Sequence, residues 1–406
     1  MTCECRVCSG KVTEFLDFGQ QPLSDAFVLP DSRKEEFSFQ LVVGVCDTCS
    51  MVQLMEEVPR GHMFHEGYPY LSSQSTFMRR HFGELADRFL ATELSGDDPF
   101  IVELGCNDGV LLAPLAARGV RHVGVEPSAG VADIAASKGV NVRKEFFEED
   151  LAARLLAEHG PADVIYAANT LCHIPYMGSI LNGVRGLLAS NGVFVFEDPY
   201  WAEIVERASF DQIYDEHYFF FTANSVRRMA RLHGLELVDV ERLSVHGGEV
   251  RYTLAPAGRR TPSPEVAALC EWEDRQALTA PATLERFGRR TKENAEGLTA
   301  LLRELSGQGR RIVGYGATAK SATVLNYAGI GPDLIPFVVD STPTKQGRLT
   351  PGSGIPVRES SAFADPYPDY AVLFAWNHAK EIMEKEKSFR ESGGRWILYV
   401  PEVRIA

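Results

Sequence analysis

The stretch Ile101-Val102-Glu103-Leu104-Gly105-Cys106-Asn107-Asp108-Gly109 constrains this chain more than any other. Its apolar start reads as a buried strand, and the glycines after it make a turn that lets the backbone approach a ligand before a helix begins near Val110. Glu103, at the strand end, can accept hydrogen bonds from a cationic amine or a hydroxyl. A second signal is correlated with the first. Gly124-Val125-Glu126-Pro127 places Glu126 at the end of the next apolar run, 21 residues after Gly105, where a carboxylate grips a ribose diol.

A dinucleotide turn wants Gly-x-Gly-x-x-Gly, and position 107 is Asn. S-adenosylmethionine therefore fits the pair of motifs better than NAD, with Glu103, Gly105, Asn107, Gly109 and Glu126 as expected contacts. An ordinary strand-to-helix turn beside an unrelated Glu is the plain alternative. The surrounding pattern supports the ligand reading. A helix over Phe77 to Glu93 is followed by apolar runs at Phe100 to Leu104, His122 to Val125, Val140 to Val142, Asp163 to Ala167 and Val193 to Phe196, most of them separated by spacers of helical length. That alternation predicts a doubly wound α/β sheet. Leu235 to Leu243 and Glu249 to Leu254, joined through Gly247-Gly248, are too close for a parallel crossover and predict an antiparallel pair at one edge.

Eight cysteines fall in 406 residues, and four of them form Cys5/Cys8 and Cys46/Cys49, two Cys-x-x-Cys knuckles. Without an export signal this spacing predicts a structural zinc site held by four thiolates, with Cys3 near enough to substitute. The flanking β-type stretches, Val12 to Phe18, Phe37 to Val45 and Met51 to Leu54, predict a small hairpin unit that needs the metal for stability. Beyond a linker at Pro256 to Pro264 and a long helical segment over about 263–307, a second α/β unit is expected from strands at Arg311 to Gly314, Ile335 to Asp340, Tyr370 to Ala375 and Arg395 to Val400, with helices at Thr318 to Tyr327 and His378 to Ser392. The fold class is thus α/β in three parts: a zinc-binding β-hairpin domain over 1–65, a methyltransferase-type doubly wound sheet over 66–258, and a Rossmann-like domain over 259–406, with a cleft between the α/β lobes.

Two further clusters carry chemistry. Ile213-Tyr214-Asp215-Glu216-His217-Tyr218-Phe219 lies between the fifth strand and the next helix, where such a core opens onto its substrate. His217 is suited to general-base work near neutral pH and a neighbouring carboxylate can orient it, although a solvated or packed turn reads equally well from residue types alone. Gly314-Tyr315-Gly316-Ala317-Thr318-Ala319-Lys320-Ser321 is another strand-to-helix turn, whose backbone N–H groups and Lys320 suit a diphosphate. Asp340, after the following strand, makes a nicotinamide dinucleotide the rival, and a purely structural turn stands beside both.

Taken together, Cys5 to Cys8, Gln21-Pro22-Leu23-Ser24-Asp25, Cys46 to Cys49, Tyr68-Pro69-Tyr70, the Glu103 to Gly109 loop, Asn169-Thr170-Leu171-Cys172-His173-Ile174-Pro175, Tyr214 to His217, His246-Gly247-Gly248-Glu249, Gly314 to Ser321 and Ala375-Trp376-Asn377-His378 resemble the sugar C-methyltransferases of antibiotic deoxysugar pathways, over essentially the whole chain. The resemblance implies methylation of carbon 3 of a thymidine-diphosphate 4-keto deoxyhexose through an enolate. It implies His217 as base, Tyr214 as proton carrier or enolate donor, Glu216 as orienting group, Asn169 at the cofactor, Tyr68, Tyr70 and His173 at the sugar, and Thr318, Lys320, Ser321 and Asn377 at the diphosphate. An NAD(P)H-dependent 4-ketoreductase, alone or combined with methyl transfer, is the runner-up.

The net charge of −14 would repel a phosphate backbone, so nucleic acid is not an expected partner; a nucleic-acid methyltransferase built on the cysteine knuckles would need a basic stripe. No apolar run approaches a bilayer span, and the N-terminus does not read as a signal segment. A cytoplasmic, monomeric enzyme with a nucleotide-sugar substrate and no membrane partner is expected.

Overall fold

The computed structural model describes residues 3–32, 36–63, 71–364 and 366–406. Tyr68 and Tyr70 lie outside the described residues.

The central sheet has seven strands in the order Leu235–Leu243, Glu249–Pro256, Leu188–Pro199, Ala162–Ala168, Phe100–Leu104, Arg121–Val125, Val142–Arg143. The last five are mutually parallel, and Glu249–Pro256 runs antiparallel to both of its neighbours. Apolar residues fill the inner strands on both faces: Phe100–Leu104 is buried throughout, because helices cover both sides of a parallel sheet. From Phe100–Leu104 the chain winds outward through the next two strands, then returns to pair Ala162–Ala168 on the other side. The order therefore reverses beside the Gly105 turn, and that reversal opens a crevice at the carboxyl ends of the strands. This strand order, with its one antiparallel member next to the edge, is the class I methyltransferase fold.

The N-terminal sheet joins Cys3–Glu4, Lys11–Pro22, Ser38–Cys46 and Val52–Leu54 with a fifth strand, Phe219–Phe220, taken from the middle of the chain. So small a unit cannot cover its own edge, and the residues just after His217 cover it. The N-terminal strands also dock sideways. Phe15 meets Trp201 with ring centroids 5.8 Å apart, and Phe18 meets Tyr327 at 5.0 Å, so the sheet leans on both α/β lobes.

The C-terminal sheet runs Val357–Arg358, Val338–Val339, Ile312–Tyr315, Tyr370–Leu373, Arg395–Leu398, Arg404–Ile405, parallel except for the last strand. The helical segment expected over 263–307 is two helices, Pro264–Gln276 and Pro281–Gly307. The break falls where Ala277 adopts a left-handed φ of 48° and where Pro281 restricts the residue before it. The first helix packs back on the central domain: the Glu273 carboxylate accepts from the Ala223 N–H at 2.6 Å, the Asn224 N–H at 2.9 Å and the Tyr200 hydroxyl at 2.8 Å. The helix expected over His378 to Ser392 is likewise split, into Ala379–Lys385 and Lys387–Glu391. One apolar cluster runs without interruption from Phe18 and Phe39 through Phe196, Trp201 and Phe210 to Leu302, Val338 and Tyr399, so the three sheets share a core.

Candidate active site and metal centre

The four knuckle cysteines converge. Cys5 and Cys49 Sγ lie 3.6 Å apart and Cys8 and Cys46 Sγ 3.5 Å, close to the edge of about 3.8 Å that a thiolate tetrahedron has with Zn–S bonds of ~2.3 Å. Each knuckle turns through a serine with positive φ, Ser9 at 57° and Ser50 at 60°, and N–H groups point at sulfur: Val7 to Cys5 at 3.4 Å, Thr48 and Cys49 to Cys46 at 3.4 Å. Such donors stabilise thiolates, so the donor set and its surroundings fit zinc. Cys3 sits outside this cluster, its thiol directed at the Glu4 carbonyl at 3.5 Å.

A cleft of about 480 Å³ opens at the carboxyl ends of the central strands and is walled by all three sheets' domains. From the central domain come Gly105, Asn107, Glu126, Asn169, His173, Tyr214, Glu216 and His217; from the C-terminal domain Thr318, Lys320, Asp340, Lys345 and Asn377; from the N-terminal domain Asp25 and Arg60. The first turn is braced by its own carboxylate. Glu126 Oε2 accepts from the Asn107 N–H at 3.1 Å and Oε1 from the Ser128 N–H at 2.9 Å, which leaves lone pairs on both oxygens for a diol. Gly105, at φ 67°, passes so close to Thr170 that an added Cβ would stand 2.3 Å from its hydroxyl. Asn107 is left-handed too, at φ 48°, and its side-chain oxygen accepts from the Ser72 N–H at 3.0 Å, tying the segment before the helix Thr76–Ala91 across the turn. Glu103 and Gly109 do not line the cleft. Glu103 is buried behind the turn, where desolvation and then Asp108 push its carboxyl well above the usual range; the Cβ position of Gly109 faces Val140 and Ala135, so that glycine serves packing.

On the opposite wall His217 is 4% exposed and fully engaged. Its Nδ1 lies 2.8 Å from the Gln212 carbonyl, which only accepts, so Nδ1 carries the proton and Nε2 accepts from the Tyr214 hydroxyl at 2.8 Å. Burial, reinforced by His173, holds the His217 pKa well below its ordinary value, and burial raises that of Tyr214. The ring is therefore neutral, its basic lone pair aimed at a phenol. Burial lowers the pKa of His173 to about 3; its ring centroid lies 5.3 Å from that of His217, and its Nδ1 is 4.0 Å from Glu216. Asp215, just before Glu216 in the chain, does not line the cleft and accepts from the Ser24 N–H at 2.9 Å.

The C-terminal turn repeats the first turn's construction: Asp340 Oδ2 accepts from the Ala317 N–H at 2.7 Å and Oδ1 from the Thr342 N–H at 2.8 Å. Thr318 caps the helix Ala319–Tyr327, and Ser321 is turned inward, its hydroxyl donating to the Thr318 carbonyl at 2.6 Å, away from the cleft. Lys320 Nζ reaches the His246 carbonyl at 3.4 Å, and burial lowers its pKa. Lys345 spans domains, bonding Asp25 at 2.9 Å and the Ala317 carbonyl at 3.0 Å. Arg60, Ser72, Gln212 and Lys345 were not legible as cleft residues; Gln212 contributes a backbone carbonyl, which leaves no trace in residue type.

The strand order, with a carboxylate bracing the turn after the first strand of the parallel set, and the four converging cysteines are those of an S-adenosylmethionine-dependent methyltransferase with a structural zinc site. Family models agree: "Methyltransferase domain" matches residues 75–240, "C-methyltransferase C-terminal domain" 244–401 and "Putative zinc binding domain" 5–64. The C-methyltransferase NovU of Streptomyces niveus is 34% identical over 407 residues, covering 99% of this chain and 96% of NovU. The chain belongs to this C-methyltransferase family. Among solved structures, an S-adenosylmethionine-dependent methyltransferase from Clostridium acetobutylicum is 11% identical with a TM-score of 0.35, covering 46% of this chain and 94% of that one. Geranyl diphosphate C-methyltransferase from Streptomyces coelicolor is 14% identical with a TM-score of 0.34, covering 45% and 85%. Among the described residues no helix is long and apolar enough to cross a membrane.

Proposed function

We propose that the enzyme methylates carbon 3 of a thymidine-diphosphate 4-keto deoxyhexose, with His217 and Tyr214 removing the carbon-3 proton. The observation that carries this reading is the chain Gln212 carbonyl–His217–Tyr214 facing the Glu126 turn across one cleft. A neutral imidazole is too weak to deprotonate an ordinary carbon, so the proton must be acidified by an adjacent carbonyl, as a 4-keto sugar provides. The Tyr214 oxygen takes the carbon-3 proton as its own passes to Nε2; the resulting imidazolium keeps its Nδ1–H on Gln212. Glu216 stands beside His173 and offsets the charge gained. S-adenosylmethionine, when bound, would supply a methyl already activated as a sulfonium for the enolate carbon, with a neutral thioether as leaving group. Asn169 would face that donor, and His173 the sugar. Thr318 and Lys320, with Asn377, line the wall suited to the diphosphate; Ser321 acts there only by shaping the turn.

The test is mass spectrometry of a thymidine-diphosphate 4-keto deoxyhexose after incubation with enzyme and S-adenosylmethionine. One added methylene on carbon, with carbon-3 proton exchange into deuterated water that vanishes in His217→Asn, is expected. Methyl on oxygen, or exchange indifferent to His217, overturns the reading. The braced Asp340 favours a second reading, a nicotinamide cofactor on the C-terminal turn serving a 4-ketoreductase. Oxidation of NADPH by enzyme and keto sugar without methyl donor would establish it, and a flat absorbance would remove it.

A further inference from the structure

Asp211 has no place in the chemistry above, yet it is fully buried in the middle of the turn Phe210–Gln212. Burying a carboxylate costs several kcal/mol unless it is well paired. Here both partners come from the C-terminal domain and converge on one oxygen: Trp376 Nε1–H donates to Oδ2 at 2.6 Å and the Tyr399 hydroxyl at 2.7 Å. Oδ1 has no hydrogen-bond partner among the described residues. The next residue, Gln212, gives its side-chain amide to the His246 carbonyl at 2.9 Å and its own carbonyl to His217 Nδ1 at 2.8 Å. One residue further, Thr323 of the C-terminal domain donates to the Ile213 carbonyl at 2.8 Å.

We propose that Asp211, clamped by Trp376 and Tyr399, is a positioning residue that aims the Gln212 carbonyl at His217 and thereby fixes the imidazole tautomer whose Nε2 is unprotonated and can accept the Tyr214 proton. The inference rests on the reading of His217 as base. Its physical content is that a peptide carbonyl on a three-residue turn cannot hold an aim by itself: rotation of the Asp211–Gln212–Ile213 backbone would move the acceptor off the Nδ1–H axis, and the other tautomer would then place its proton on Nε2, facing Tyr214 with the wrong polarity. The clamp also puts the C-terminal domain, whose Asn377 follows Trp376, in charge of the catalytic turn in the central domain.

Asp211→Asn keeps the shape and removes the charge; Tyr399→Phe removes one donor outside the cleft. Turnover, S-adenosylhomocysteine binding by calorimetry and the imidazole ¹⁵N spectrum of histidine-labelled enzyme, with His217 assigned by its loss in His217→Asn, are measured on full-length protein. Expected for Asp211→Asn is a fall in kcat of roughly 10- to 100-fold, the range expected when two charge-assisted hydrogen bonds to one oxygen become neutral ones, with the S-adenosylhomocysteine Kd unchanged. Its His217 signal leaves the pure Nδ1–H pattern for a tautomer mixture. Tyr399→Phe shifts both readouts the same way by less, and the double variant is no worse than Asp211→Asn. Wild-type kcat and ¹⁵N pattern in Asp211→Asn overturn the proposal, as does a loss of ligand binding in step with kcat, which marks a merely structural role. If His217→Asn retains turnover, the base assignment falls, and the tautomer spectrum still decides whether Asp211 governs His217.

Discussion

Replacing Glu126 by Gln changes one oxygen to an amide nitrogen at the brace of the first turn. In the wild type both carboxylate oxygens accept backbone N–H groups, from Asn107 at 3.1 Å and Ser128 at 2.9 Å, and both keep capacity for a ribose hydroxyl. Gln retains one acceptor, so one hydroxyl loses a charge-assisted bond of about 1.5–3 kcal/mol, which weakens S-adenosylhomocysteine binding roughly 10- to 150-fold. The new NH₂ also faces a backbone N–H in a site only 5% exposed, so the free enzyme loses a further 1–3 kcal/mol or so of stability. Because burial already pushes the Glu126 pKa up, part of the wild-type advantage fades in acid, and the ratio of the two Kd values shrinks as pH falls toward that pKa. Isothermal titration at pH 8 and pH 6, with urea unfolding of the free proteins, separates binding from folding. An unchanged Kd at pH 8 would refute the assignment of this turn to the ribose.

Tyr214→Phe removes the hydroxyl between His217 and the cleft; kcat should fall by roughly 10²–10⁴ with the S-adenosylhomocysteine Kd intact, and near-normal kcat would strike the phenol from the relay. Since burial lowers the His217 pKa and the base acts when neutral, kcat/KM should stay level as pH falls through 6.5, with its acid limb below that value; a limb above pH 6.5 contradicts the burial argument. Lys320→Ala should raise the KM for the nucleotide sugar roughly 10- to 150-fold and leave that for S-adenosylmethionine alone, while an unchanged KM removes Lys320 from the diphosphate wall. Elemental analysis should find one zinc per chain, lost in Cys46→Ser together with protection of residues 3–63 from protease; a folded, protease-resistant zinc-free protein would show that the knuckles are not a structural centre.

Much of this molecule is local, and local features were legible in the chain. The Gly105 turn, the carboxylate Glu126 at the next strand's end, the paired knuckles and the alternation of strand and helix each depend on neighbours a few residues away, so spacing and residue type were enough to read them. The long-range partners of two elements were not legible in the same way. Phe219–Phe220 completes the N-terminal sheet and Pro264–Gln276 returns to the central domain, because an uncovered sheet edge and the first N–H groups of a helix find partners wherever the folded chain brings them. Glu103 and Ser321 had the right chemistry at the right spacing, yet neither lines the cleft: Glu103 is buried, and the Ser321 hydroxyl donates to the Thr318 carbonyl. The state of His217 is the clearest case. Its identity as a candidate base came from the sequence, but its neutral form, its tautomer and its aim come from a carbonyl at Gln212, a phenol at Tyr214 and burial beside His173, which only the packing of the surrounding elements assembles.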